Sequence, residues 1–183
     1  MWPERHNGSP IENPAHFLFE NVDDELKGKI DEHLEGFNHI VGSDKFKEIT
    51  IIHVETIDRY LSHYDIDVLE LDRYRGPDEN QSKWWPNKFR DARPKDLYKP
   101  ELSIINTYIF LQVLRTHGIP VAELRDQTKK IVQSMDDEDM AIIEDAYERR
   151  SQAEAFEKEM KKKAAALDDL ERMALDQQPG RSH

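Results

Sequence analysis

From Asn21 onward apolar residues recur at spacings of three and four, as Val22, Leu26, Ile30, Leu34, Phe37 and Val41. This period places them on one face of a helix, with Asn21 or Asp23 suited to its start and Gly42 to its end. The first twenty residues, MWPERHNGSPIENPAHFLFE, hold three of the nine prolines and no such period, so they read as an irregular arm. In KFKEITIIHVETIDRYLSHY the period is mixed. Ile49, Ile51 and His53 alternate as on a short strand, whereas Ile57, Tyr60, Leu61 and Tyr64 are helical neighbours, so a strand-to-helix junction is expected near Val54. A short helix from Val68 to Arg75 follows, capped by Asp67 and stopped at Gly76-Pro77. With the YDID turn before it, this pair reads as a helix-turn-helix.

The stretch SKWWPNKFRDARPKDLYK is too rich in Pro, Asn and Asp for a long helix. After it, KPELSIINTYIFLQVLRTHG is helical: Pro100 suits a first turn, Leu102, Ile105, Ile109 and Val113 line one face, and Gly118 closes the element. A further helix, VAELRDQTKKIVQ, sets Val121, Leu124, Thr128, Ile131 and Val132 on one side. The chain from Asp136 to Gln178 starts with an acidic turn and continues without Gly or Pro, which predicts one long helix. Ala146, Ala153, Met160, Leu167 and Ala174 fall seven apart, as do Ile142, Arg149, Phe156, Lys163 and Leu170. Alanines at three of these positions favour a close antiparallel pairing of two such helices. The expected divisions are an arm over 1–20, an amphipathic helix over 21–45, a central domain over 46–132, a long helix over 133–177 and a tail over 178–183.

Composition narrows the chemistry. The chain has 183 residues, 37% hydrophobic and 35% charged, which fits one compact domain with a solvated extension. It contains no cysteine, so disulfides, zinc-thiolate sites and thiol nucleophiles are excluded. No apolar run approaches the roughly 20 residues of a membrane span, and MWPERHNGSP lacks the apolar centre of a signal peptide. A cytoplasmic protein is expected, for which the Asn7-Gly8-Ser9 sequon is a chance match. The net charge is −12, yet six cations and two carboxylates between Lys83 and Lys99 leave that segment at +4 and the rest at −16. Segregation of this kind is a footprint of phosphate contact. Trp84, Trp85 and Phe89 within it have two readings: stacking on bases or a minor groove, or packing into the core.

The runs TIDRYLSHYDIDVLELDRY and DLYKPELSIINTYIFLQVLRTHGIPVAELRDQ together resemble the MerR-type winged helix over about residues 48–132. The matching features are Leu97-Tyr98 before the helix, Glu101 and Leu102 opening it, Leu114-Arg115 and Gly118-Ile119 closing it, and Val121 to Arg125 beyond. The resemblance implies a mainly α protein: a winged helix-turn-helix core with a small β-wing, an N-terminal amphipathic helix and a long C-terminal dimerisation helix. Where the family carries Thr-Leu-Arg-Tyr-Tyr on its recognition helix, this chain has Glu70, Leu71, Asp72, Arg73 and Tyr74. Asp65, Asp67, Glu70 and Asp72 make that helix acidic, against docking on phosphate.

Two functions follow as expectations. One is a MerR-like DNA-binding protein, a homodimeric transcriptional regulator or DNA-organising factor. It would contact duplex DNA through Arg73, Arg75, Lys83, Trp84, Trp85, Lys88, Phe89, Arg90, Arg93 and Lys95, and pair through Ile142, Ala146, Ala153, Phe156, Met160, Leu167 and Leu170. The other is a non-enzymatic adaptor that reuses the scaffold to hold a protein through its N-terminal or acidic helix. No enzyme, metal or cofactor is expected. Glu35 and His39 have helical ligand spacing but no further ligand, the four carboxylates near Asp65 lack an accompanying lysine, and the DDED run from Asp136 lacks the glycine of a calcium loop.

Overall fold

The structure is a computed structural model that describes residues 14–19, 21–64, 84–86, 89, 93–177 and 180. Its helices are α1 (Asp24–Ile40), α2 (Asp44–Tyr64), α3, α4 (Val121–Gln133) and α5 (Asp137–Asp176). Helix α3 begins as Lys99–Tyr108, widens into a π-helical stretch at Ile109–Val113 and finishes as Leu114–His117. Short 3-10 turns at Pro14–Leu18 and Pro94–Asp96 precede α1 and α3. No strand occurs among the described residues.

Two expectations are thereby corrected. Ile49, Ile51 and His53 do not alternate on a strand but lie in the uninterrupted helix α2, with Ile49 and His53 fully buried and Ile51 half-buried. Alternation over so few residues cannot separate a strand from a helix enclosed on several sides, because such a helix is apolar beyond one stripe. The winged helix with its β-wing is likewise replaced by a helical bundle. The described part of 82–99 consists of a turn at Trp84–Pro86, Phe89 and a 3-10 turn leading into α3. The expected helix-turn-helix, with Asp65, Asp67, Glu70, Asp72, Arg73 and Arg75, lies outside the described residues.

Local chemistry sets the helix ends. The Asp23 carboxylate accepts from the Leu26 N–H at 2.8 Å and starts α1. Glu101 reaches back to the Tyr98 N–H at 3.0 Å and starts α3. Gly118, at φ 64° and ψ 33°, ends α3 in the left-handed conformation that glycine adopts without a Cβ clash, and Ile119 N–H then bonds Leu114 C=O at 2.9 Å.

Helix α2 packs on α4, α1 on α3, and both α1 and α4 on the first half of α5. The apolar centre holds Phe37, Phe46 and Phe110, with Phe37 5.7 Å from Phe46 and 5.6 Å from Phe110 between ring centroids. Into this centre the sequence inserts polar groups. His53 of α2 lies 2.9 Å from Asn106 Oδ1 of α3 through Nδ1 and 2.8 Å from the Tyr147 hydroxyl of α5 through Nε2. Asn106 Nδ2 donates to Thr50 Oγ1 at 2.8 Å and to Leu102 C=O at 2.7 Å, and Thr128 Oγ1 of α4 lies 2.6 Å from Tyr147.

Proton directions follow from these contacts. The Asn106 amide spends its N–H groups on Thr50 and Leu102, so its oxygen accepts from His53 Nδ1–H. Burial lowers the His53 pKa to about 4, so the ring is neutral and its Nε2 accepts from the Tyr147 hydroxyl. Tyr147 is held protonated by the same burial. One polar chain thus joins α2, α3, α4 and α5.

Asn106→Ala strands His53 Nδ1–H in an apolar setting and removes the donor to Thr50, whose hydroxyl keeps its bond to the Phe46 C=O. It is expected to lower the unfolding free energy by about 2 to 4 kcal/mol, read from urea denaturation. The pH dependence has a definite sign. Between about pH 4 and the ordinary value of 6.5, the unfolded chain protonates His53 and the folded chain does not. Stability is therefore full above 6.5 and falls as pH drops towards 4, with His33, also lowered to about 4, acting in the same direction. The His53 contribution should cost on the order of 2 kcal/mol between neutral pH and about pH 5, measured as the shift in urea midpoint.

Candidate interaction surface on the projecting helix

Helix α5 has two halves of different character. Its first half docks through Ile143, Ala146, Tyr147 and Arg150, all buried, and ends in a clasp of charges. The guanidinium of Arg150, 6% exposed, donates from Nη1 and Nη2 to the two oxygens of Glu157, each at 3.0 Å, and its Nε lies 3.5 Å from Glu154. Glu154 in turn accepts the Val121 N–H at 2.7 Å and so caps α4, whose Pro120 offers no side-chain cap. Burial raises the Glu154 pKa, against the pull of the Val121 N–H and of Arg150. Arg115 at the end of α3 approaches Glu157 at 3.8 Å. The clasp fastens α3, α4 and α5 together, and beyond it the docking stops.

Every residue from 158 to 177 is exposed. Helix α5 therefore projects from the bundle for about 28 Å, at about 1.5 Å per residue. Its docked half supplies the nucleus, and the Ala, Leu, Lys and Glu of the outer half propagate it. A polar sequence would satisfy that geometry. Instead Phe156 is 67% exposed, Met160 49%, Leu167 61% and Leu170 61%. With Ala174 these residues form one row, which sits about two fifths of a turn from Ile143, Tyr147 and Arg150, at about 100° per residue. The row continues, beyond the bundle, the heptad frame of Ile142, Ala146 and Ala153.

The residues singled out for pairing divide accordingly. Ile142 and Ala146 pack against the bundle, Ile142 half-buried with its Cγ2 3.6 Å from the Cβ position of Gly36, and Ala153 is half-buried at the clasp. Phe156, Met160, Leu167 and Leu170 lie free on the projecting half, joined by the flanking Met173 and Leu175. Sequence periodicity alone did not separate the two groups, because both share one heptad frame.

Of the residues singled out for DNA, Trp84, Trp85 and Phe89 are buried, at 6%, 8% and 7%. The Trp84 indole donates to Asp58 at 2.9 Å and the Trp85 indole to the Phe89 C=O at 2.7 Å, so their faces are spent on the fold. Arg93 is exposed and pairs with Asp96 at 3.1 Å, and Lys95 is exposed. Arg73, Arg75, Lys83, Lys88 and Arg90 lie outside the described residues.

A polar groove of about 430 Å³ between α1 and α5 is lined by Glu32, His33, Glu35, His39, Asp145 and Arg149, among others. Arg149 lines it and forms ion pairs to Glu32 at 2.7 Å and Asp145 at 2.8 Å, while burial first and Arg149 second lower the His33 pKa to about 4. Glu35 and His39, at helical ligand spacing, gain no third ligand, and no metal-binding group of His and carboxylates occurs among the described residues. His39 pairs instead with Glu138 at 3.2 Å. No helix among the described residues is long and apolar enough to cross a membrane.

The class defined by these elements is a helical bundle with one long helix docked by its first half alone. The family model described as the YDR124W-like, helical bundle domain matches residues 70–170, more than half of the chain, and the chain belongs to that family. No curated protein and no solved structure matched. The MerR resemblance is thereby overturned. The residues that carried it, Glu101 and Leu102, Leu114-Arg115 and Gly118-Ile119, are those by which a buried helix is capped, packed and closed, and a bundle demands them as a winged helix does. Helices α1 and α2 both lie wholly before the matched residues, yet both supply the core.

Glu157→Ala leaves the buried Arg150 without its two-pronged acceptor, whereas Glu159→Ala removes an exposed carboxylate two residues further on. The first is expected to cost about 1 to 3 kcal/mol and the second less than about 0.5, compared by thermal or urea unfolding.

Proposed function

We propose that the protein is a non-enzymatic interaction module, in which the bundle serves as a base and the projecting half of α5 holds a protein partner along the row Phe156, Met160, Leu167 and Leu170. The observation that carries this reading is the exposure of that row, from Phe156 at the clasp along the outer half of α5. Contiguous apolar side chains left in water mark a docking surface, and their place on one helical face fits recognition by a helix or a helical groove.

The adaptor expectation is thus preferred to DNA binding. The aromatic platform for bases is committed to the core, and the acidic chain repels phosphate. The anchors expected for the adaptor were the N-terminal and acidic helices. Helix α1 spends Ile30, Leu34, Phe37 and Ile40 on the core, which moves the proposed surface to α5. The absence of cysteine supports a cytoplasmic setting.

A photo-crosslinking amino acid placed at Phe156 or Leu167 in cells should give protein adducts. The same group at Lys162, on the other side of the helix, should give few. Equal adducts on both faces, or adducts to nucleic acid, would count against the module.

A further inference from the structure

Resting on the docking surface just described, we infer that its partner is a second copy of the same chain, paired antiparallel about Ala164, Ala165 and Ala166. The argument is one of charge. On the projecting half, Lys158, Lys161, Lys162 and Lys163 with Glu159 make a block of +3, and Asp168, Asp169 and Glu171 with Arg172 make a block of −2, with the three alanines between them. All of these residues are exposed, and Lys162, Asp168, Asp169 and Glu171 lie beyond the clasp of Glu154 and Glu157, beside which Lys158 and Lys161 stand.

Antiparallel pairing lays Lys161 and Lys162 beside Asp169 and Asp168 of the other copy, which outweighs the like pairs Lys158 with Arg172 and Glu159 with Glu171 only near the centre of the pair. Parallel pairing in register lays each block beside its own duplicate, which is repulsive at helix-packing distance. The apolar row agrees with the antiparallel arrangement. Centring the pair on Ala165 sets Met160 against Leu170 of the second copy, Phe156 against Ala174, and the aliphatic stem of Lys163 against Leu167, while Lys161 lies on the same flank as Asp168 of the other copy. A large residue meets a small one at one layer and two of middle size meet at the next, and the central alanines let the backbones close. The bundles are then carried to opposite ends of the pair, where they do not collide.

The cysteine-free chain makes the test clean. Two full-length variants, Met160→Cys and Leu170→Cys, are oxidised with diamide separately and mixed, and disulfide-linked dimers are read on non-reducing gels. The antiparallel pair predicts dimers in the mixture and few in either variant alone. Identical positions would then lie ten residues apart along the axis, about 15 Å, beyond the reach of a disulfide. Wild-type protein should show a dimeric mass by light scattering, and its dissociation constant should rise severalfold from low to high salt as the block attraction is screened.

Dimers within each variant alone, or tighter association at high salt, would mean a parallel pair and overturn the proposal. A monomeric mass at all concentrations with no linkage would overturn it too. In that case adducts from Phe156 and Leu167 to a different protein would leave the docking surface standing without the second copy. Their absence as well would remove both.

Discussion

The bundle depends on a neutral histidine. A polar chain through His53, Asn106, Tyr147 and Thr128 in the apolar centre is stabilising only when each donor meets an acceptor, and here each does. An apolar contact can slide by a residue at little cost. A chain of hydrogen bonds between four helices cannot, because one slipped register leaves several buried groups unpaired. The network therefore fixes how α2, α3, α4 and α5 sit against one another, and the surrounding Phe37, Phe46 and Phe110 supply the burial that makes the pairing strict.

Where that arrangement ends is decided by charge. Arg150 gathers Glu154 and Glu157, Glu154 caps α4, and Arg115 reaches in from α3. One helix is thereby held by its first half and released by its second. The released half keeps its helicity from propensity and continuity with the docked turns, while its apolar row is left for another surface. The same element thus serves stability at one end and recognition at the other.

Much of this was legible locally. The Asp23 cap, the closure at Gly118 and the long run without Gly or Pro each depend on residues a few positions apart, and each is found in the structure. The sequence left two readings of Trp84, Trp85 and Phe89 open, because these residues look alike to a reader of sequence whether they face a base or a core. The hydrogen bonds from the indoles to Asp58 and to the Phe89 carbonyl decide between them. The winged-helix likeness failed for a related reason, since caps and apolar spacing specify helices and not the way helices are joined.

By itself the sequence determined the Asp23 start of the first helix, the closure at Gly118, the length of the last helix, and that no thiol chemistry is available, because these follow from nearest neighbours and composition. Only the tertiary structure decided that His53 belongs to a helix and to a four-helix polar chain, since its partners lie 53 and 94 residues away. Likewise only the fold could split one heptad frame into Ile142 and Ala146, which serve the bundle, and Phe156, Met160, Leu167 and Leu170, which do not. Burial is a property of what surrounds a residue, and on α5 those surroundings end at the Arg150 clasp.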